Sequence, residues 1–319
     1  RLDALQQRRL LAYEAAGAFL ATLGFDAVHD AAARRQTFAR ESLDDARARF
    51  EAGLVSSNDV TRAELELANA ELASSRAGAD AETARINLAD LLVTELPATL
   101  VTPVEILTLA ARPADAGTVD IDAARTRRFD LLSRESLTAA QRESAKEPLL
   151  RLVPTLELNG VYRTTSDAGL SARDHDESAS LVLTWTLFDG GEAFAERAER
   201  LALTRAAEYD LDLALRAVST DVRTARARLV SEQASIRQAA SAVSAALKNS
   251  TESSALYREG LATALERSDA AVQLFEAEVA EVRAKFSLAA AWLDLRDSLG
   301  LDPLPDHADA PESERGTNE

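Results

Sequence analysis

The sequence predicts a mainly α-helical protein with a small β part, built from long α-helical hairpins and two amphipathic strands. Three observations carry this expectation. Between Gly191 and Gly260 lie 68 residues with neither glycine nor proline. The eight prolines, at 97, 103, 113, 148, 154, 303, 305 and 311, leave two long stretches free of the residue that breaks helix interiors. Residues 155–188 alternate apolar and polar side chains with period two, which is strand patterning.

Composition agrees. The 319 residues are 46% hydrophobic, enough for a large core, but aromatics are only 5% and charged residues 28%. The apolar content is mostly Ala and Leu, which suits long, closely packed helices. The net charge of −17 argues against a nucleic-acid partner, because phosphates would be repelled. With no cysteine, neither a disulfide nor a thiolate metal site can form. No uninterrupted run of about 18 apolar residues suggests a transmembrane helix. The chain contains no Met and begins with Arg1, as expected of a fragment or processed chain that has lost its start and any signal peptide.

The prolines mark the joints. Residues 1–93 read as helix, turn and helix, with the turn near Gly53 and Asn58 or Asp59 as N-cap of the second helix. Residues 94–118 read as a linker without sustained period, and 119–147 as helical again, with Asp120 or Asp122 near its start. In 155–164, Leu156, Leu158, Gly160 and Tyr162 share one face, and Glu157, Asn159, Val161 and Arg163 the other. In 178–188, Leu181, Leu183, Trp185 and Leu187 share one face, and Val182, Thr184 and Thr186 the other. Each run is about ten residues, the length a tilted strand needs to cross a bilayer. A soluble hairpin packed on helices would show the same pattern. It would be only marginally stable without further strands, however, and none is evident. The polar loop between the runs holds Asp174-His175-Asp176, for which an acidic solvated loop is a plainer account than a metal site.

From Glu192 to Glu259 the chain reads as one helix, about 100 Å long at 1.5 Å per residue. Leu211, Leu215, Val218, Val222, Ala225, Leu229, Glu232, Ile236, Ala239, Val243 and Ala246 step alternately by four and three, which is a coiled-coil seam. A second helix, about 263–299, returns from Gly260, and residues 300–319 read as a disordered tail. The two turns repeat. A shift of 207 residues aligns Phe50 with Tyr257, Gly53 with Gly260, Leu54 with Leu261, Ala63 with Ala270, Leu67 with Leu274 and Arg76 with Arg283 without a gap. By the logic of the repeat, a first pair of strands belongs upstream of Arg1.

Several of these motifs together resemble the TolC family of outer-membrane efflux proteins. WTLFDGG (185–191) is similar to that family's strand-to-helix signature, and 127–162 to the helix that leads through a proline into a strand. Residues 49–72 and 257–271 are similar to its two helical tips. The resemblance implies a homotrimer with a shared 12-stranded transmembrane β-barrel and a coiled-coil tunnel of helices. It places the protein in the bacterial cell outer membrane, extending into the periplasm. The chain would then divide into a first-repeat helical hairpin (1–93, tip near 53), an equatorial linker (94–118), a helix leading to the barrel (119–147), a β-hairpin of the barrel (148–188), a second-repeat hairpin (189–299, tip near 260) and the tail (300–319).

Asp189, Gly190 and Gly191 would form the hinge between strand and helix. Leu181, Leu183, Trp185 and Leu187 would face outer-membrane lipid, and the Asp174–Asp176 loop would be extracellular. The protein would be a passive export conduit of a tripartite efflux or type I secretion system, gated at its periplasmic tip, with no enzymatic activity and no cofactor. Glu266 and Asp269 would form acidic rings at the pore constriction, although acids near a helix start also suit its dipole. Tyr257 and Asp59 would hydrogen-bond as a tip latch. Ala262 stands where the family often has a basic residue, a departure for which Arg258 or Arg267 would have to substitute. Gly53, Leu54, Val55, Gly260 and Leu261 would dock a periplasmic adaptor (a membrane fusion protein) that links to an inner-membrane transporter. A periplasmic adaptor or other coiled-coil interaction protein is the alternative reading. Three histidines, no cysteine and no nucleophile turn leave little from which to build an enzyme site.

Overall fold

The computed structural model describes residues 2–112, 121–164 and 175–304. Helix α1 (Leu2–Glu51) and α2 (Ser57–Leu92) form one hairpin; α7 (Glu192–Arg258) and α8 (Ala264–Ser298) form the other. Between them lie α3 (Val104–Ala111), α4 (Ile121–Arg127), α5 (Phe129–Ser144), α6 (Glu147–Leu150) and the strands β1 (Thr155–Thr164) and β2 (His175–Thr184). The chain divides into two compact units. Asp130–Ala217 fall in one, Asp3–Phe129 and the described residues from Val218 on in the other, and α7 contributes to both.

In the larger unit, small residues let helices approach closely. Ala70, Ser74, Ala77, Ala81 and Leu88 of α2 are buried, as are Ala32, Ala39, Leu43 and Ala46 of α1. Thr22 bridges the two, its hydroxyl donating to the Ala18 carbonyl at 2.8 Å and to the Ala84 carbonyl at 3.3 Å. A bidentate pair of Arg85 with Asp26 (3.1 and 2.6 Å) adds a planar tie. One 18-residue window of α1 is long and apolar enough to cross a bilayer by composition alone. The stretch is not an uninterrupted apolar run, since Asp26 lies within it, and α1 buries Leu20, Leu23, Ala31, Ala32, Ala39 and Ala46.

The seam of α7 lies where the four-three spacing put it. Val218, Val222, Ala225 and Leu229 are buried, and Leu211, Leu215, Ile236, Ala239, Val243 and Ala246 are half-buried. Glu232 is half-buried, and its neighbour Gln233 is buried. The reason is α3, which occupies the middle of the segment read as a linker without sustained period. Its Ile106 packs with Leu20, Ala289 and Leu293, and its Ala110 with Leu229, Leu288 and Ala291. Gln233 donates to the carbonyls of Ala110 (3.0 Å) and Arg112 (2.7 Å), acceptors that the end of a helix leaves open.

The stretch after 119 is also more broken than expected, with α4, α5 and α6 separate. Residues 300–304, read as the start of a disordered tail, are held by contacts. Gly300 turns with φ +69°, the Tyr13 hydroxyl donates to the Leu301 carbonyl (2.9 Å), and Arg296 donates to the Asp302 carbonyl (2.8 Å). Residues 305–319 lie outside the described ones.

In the smaller unit, Arg200 of α7 gathers the chain that leads into the strands. It donates to the Ser144 carbonyl (2.8 Å), Glu147 (2.5 Å) and Glu196 (2.6 Å). Arg151 pairs with Glu196 at 2.7 Å. The strands pair antiparallel through ten residue pairs, from Thr155 with Thr184 to Thr164 with His175.

Candidate functional site

The two helical tips have the same backbone. At the first, Gly53 takes φ +73°, its N–H donates to Phe50 O (2.9 Å), and Leu54 N–H donates to Arg49 O (2.9 Å). At the second, Gly260 takes φ +75°, donating to Tyr257 O (3.1 Å), and Leu261 donates to Leu256 O (2.8 Å). Each bond recurs 207 residues on. Glycine is needed because a side chain at these left-handed positions is strained. The N-caps that follow are Ser56 and Thr263. The expected N-cap at Asn58 or Asp59 is thereby corrected: Asp59 sits in the first turn and its carboxylate accepts from the N–H and hydroxyl of Ser56, both at 3.0 Å. Glu266 does the same for Thr263 (2.7 and 2.9 Å), and the Thr263 hydroxyl accepts from Glu266 N–H. The Thr263 backbone N–H and then its hydroxyl hold the Glu266 carboxyl below its usual range. Asp269, one turn on, is exposed. Leu54 and Leu261 project at the turns with 72% and 76% exposure, large for leucine, and Val55 is half-buried.

Tyr257 and Asp59 border one small cavity, together with Ala63, Arg267 and Ala271. No hydrogen bond joins them, because Asp59 is turned to its own helix cap. Tyr257 is instead flanked by arginines. Its ring lies 4.4 Å from the Arg267 guanidinium and 4.9 Å from that of Arg49. Asp45 ties the pair, with Arg49 Nε at 3.1 Å on one carboxylate oxygen and Arg267 Nη1 at 3.2 Å on the other. Asp45 and Arg49 escaped the sequence reading, because Arg49 and Tyr257 are separated by 208 residues.

On the hairpin, cross-strand pairing sorts the faces. Leu156 lies opposite Leu183, Leu158 opposite Leu181 and Gly160 opposite Ala179; Glu157 opposite Val182 and Asn159 opposite Ser180 occupy the other face. All of β1 and residues 177–184 are exposed on both faces. Two boundaries differ from expectation. β2 ends at Thr184, so Trp185 and Leu187 lie beyond the strand, and the Trp185 indole N–H donates to the Leu152 carbonyl (3.2 Å), an acceptor outside the ladder. At the other end His175 and Asp176 are strand residues rather than loop, while Asp174 lies outside the described residues.

The hinge is built as its sequence suggests. Gly190 and Gly191 take φ +75° and +91°, and Asp189 accepts from Ala193 N–H (2.8 Å) and Gly191 N–H (2.9 Å) to cap α7. Those two bonds, the Ala193 one foremost, hold the Asp189 carboxyl below its usual range.

An exposed two-faced hairpin, a glycine hinge and paired long helical hairpins define a channel-forming protein of the outer membrane. The family model described as outer membrane efflux protein matches residues 121–301, more than half of the chain, and the chain belongs to that family. It is a family of channels rather than enzymes, set in the outer membrane and extending into the periplasm. The fold is similar to that of a membrane protein from Pseudomonas aeruginosa (TM-score 0.81, 19% identity, 94% of this chain and 70% of that one). It is similar also to the outer membrane protein VceC from Vibrio cholerae (TM-score 0.76, 16% identity, 95% and 72%). A third likeness is to the MtrE outer membrane channel of Neisseria gonorrhoeae, solved in its open state (TM-score 0.70, 17% identity, 94% and 70%). No curated protein sequence matches the chain.

Proposed function

We propose that the protein is a homotrimeric export conduit of an efflux or secretion system, gated at its helical tips. One observation carries the reading: a fully registered ten-pair hairpin, exposed on both faces, is joined by a capped glycine hinge to a helix of 67 residues. An open strand edge cannot persist in lipid, so such a hairpin requires strands from other copies to close a barrel. A 12-stranded barrel to which each of three copies gives four strands, this hairpin among them, puts Leu156, Leu158, Leu181 and Leu183 against lipid and Glu157 and Asn159 toward water.

The helices then enclose a periplasmic tunnel ending at the two tips. Glu266 and Asp269 are exposed there, and three copies of each would bring like charges together, favouring cations and opposing closure. The projecting Leu54 and Leu261 suit contact with a periplasmic adaptor that links to an inner-membrane transporter.

The test is reconstitution of the full-length protein in planar bilayers. The expected result is a detergent-dependent trimer forming cation-selective channels, with selectivity reduced by Glu266→Gln plus Asp269→Asn. A monomer soluble without detergent would refute the conduit; unchanged selectivity would remove the two acids from the constriction.

A further inference from the structure

Well away from the tips, three helices of the larger unit, α1, α2 and α8, line a groove of about 470 Å³. Small-molecule sites commonly have volumes of about 300–1,000 Å³ and apolar linings with a few polar groups. This groove has that character. Leu20 and Phe25 come from α1, and Phe275, Val279 and Phe286 from α8. Phe25 is exposed and the other two phenylalanines are half-buried, so aromatic surface stays open to the groove.

Glycine inside a helix is destabilising relative to alanine, so each glycine of α1 needs a reason. Gly24 has one, because a Cβ there would lie 3.3 Å from the Phe286 ring. Gly17 has none within the protein, since a Cβ there would meet no atom within 4 Å. It lines the groove and leaves it wider by one side chain.

The groove also carries charge. Arg76 of α2 and Arg283 of α8 line it, and both are exposed. They are equivalents at the spacing of 207, so the fold brings the same arginine of each hairpin to one place. Among the described residues neither makes a hydrogen bond or an ion pair. Asp80 lines the groove too and pairs with neither. Two cations against one anion leave room for one further negative charge, and a planar guanidinium suits a carboxylate or sulfonate.

We propose that this groove binds an amphipathic organic anion from solution, an aromatic or aliphatic body with one acidic group. The body lies against Phe25, Phe275 and Phe286 in the space left by Gly17, and the acidic group lies between Arg76 and Arg283. Such a site belongs to the hairpins themselves and stands whether or not the tips gate.

The experiment titrates the full-length protein in lipid nanodiscs with anilinonaphthalene sulfonate, followed by fluorescence against empty nanodiscs. Phenylnaphthylamine, the same rings without the charge, is titrated in parallel. Wild type should bind both. Arg76→Gln and Arg283→Gln should each weaken the sulfonate about tenfold, as loss of one charge-assisted hydrogen bond does, and leave phenylnaphthylamine unchanged. Gly17→Leu should weaken both probes about tenfold or more by filling the groove, without lowering the thermal midpoint, because leucine is the better helix former. The site is overturned if the sulfonate binds both arginine variants as it binds wild type, or if Gly17→Leu binds both probes as wild type does. It is overturned also if wild type binds neither probe, the result expected where a second copy covers the groove.

Discussion

Replacing Gln233 by Leu isolates what one buried side chain contributes to the middle of the fold. The side chain is 7% exposed, and its amide serves two carbonyls at the end of α3, those of Ala110 and Arg112. Ala110 is fully buried, so its carbonyl has no route to water, whereas Arg112 is exposed and can be rehydrated. A buried acceptor left unpaired costs about 1–3 kcal/mol. The leucine recovers part of that by burying apolar surface, leaving a net cost of about 1–2 kcal/mol, or a factor of about 5–30 in a local opening equilibrium. Amide hydrogen exchange across Val104–Ala111 should therefore accelerate about 5–30-fold, while the α7–α8 seam away from α3 keeps its protection. Gln233→Glu should be worse, since it points an acceptor at two acceptors. Unchanged protection of α3 in both variants would refute the argument that Gln233 holds that helix in place.

Gly300→Ala should destabilise the protein by about 2–3 kcal/mol, read as a lower thermal midpoint in detergent, because a Cβ at this left-handed position is strained. It would also sit 3.0 Å from the Arg127 carbonyl carbon. Acid should loosen the first turn of α8. The Glu266 carboxyl, held low by Thr263, contributes stability that is full above the unfolded value of about 4.3 and lost as pH falls through the lower folded value. Exchange of amides in 264–270, corrected for intrinsic rate, should rise over that window in wild type and show no such step in Glu266→Gln.

The parts of this fold legible in the sequence are those written locally. Glycine at 53 and 260 specifies the reversals, and the four-three spacing of α7 specifies its buried side, because both signals act within a few residues. The missed parts depend on distant partners. Helix α3 has eight residues between Pro103 and Pro113, too few for a period to declare itself, and it becomes a core element only because α1, α7 and α8 leave a slot for it. The N-caps were within reach, since Ser56 with Asp59 and Thr263 with Glu266 each follow the reciprocal capping pattern at spacing three. The arginines on Tyr257 had no such signal, because nothing near residue 49 indicates what lies 208 residues on.

That double use of acids bears on how the constriction can be tested. Glu266 is committed to Thr263, so its charge stays at the start of α8, while Asp269 makes no such cap and is exposed. Glu266→Ala therefore removes a cap and a charge together, and a change in conductance after it would not distinguish a frayed helix from a lost field. Glu266→Gln keeps an oxygen for the Thr263 N–H and removes only the charge. If selectivity comes from the acidic ring, Gln and Ala at 266 should reduce it alike; if it comes from the shape of the tip, Ala should act and Gln should not.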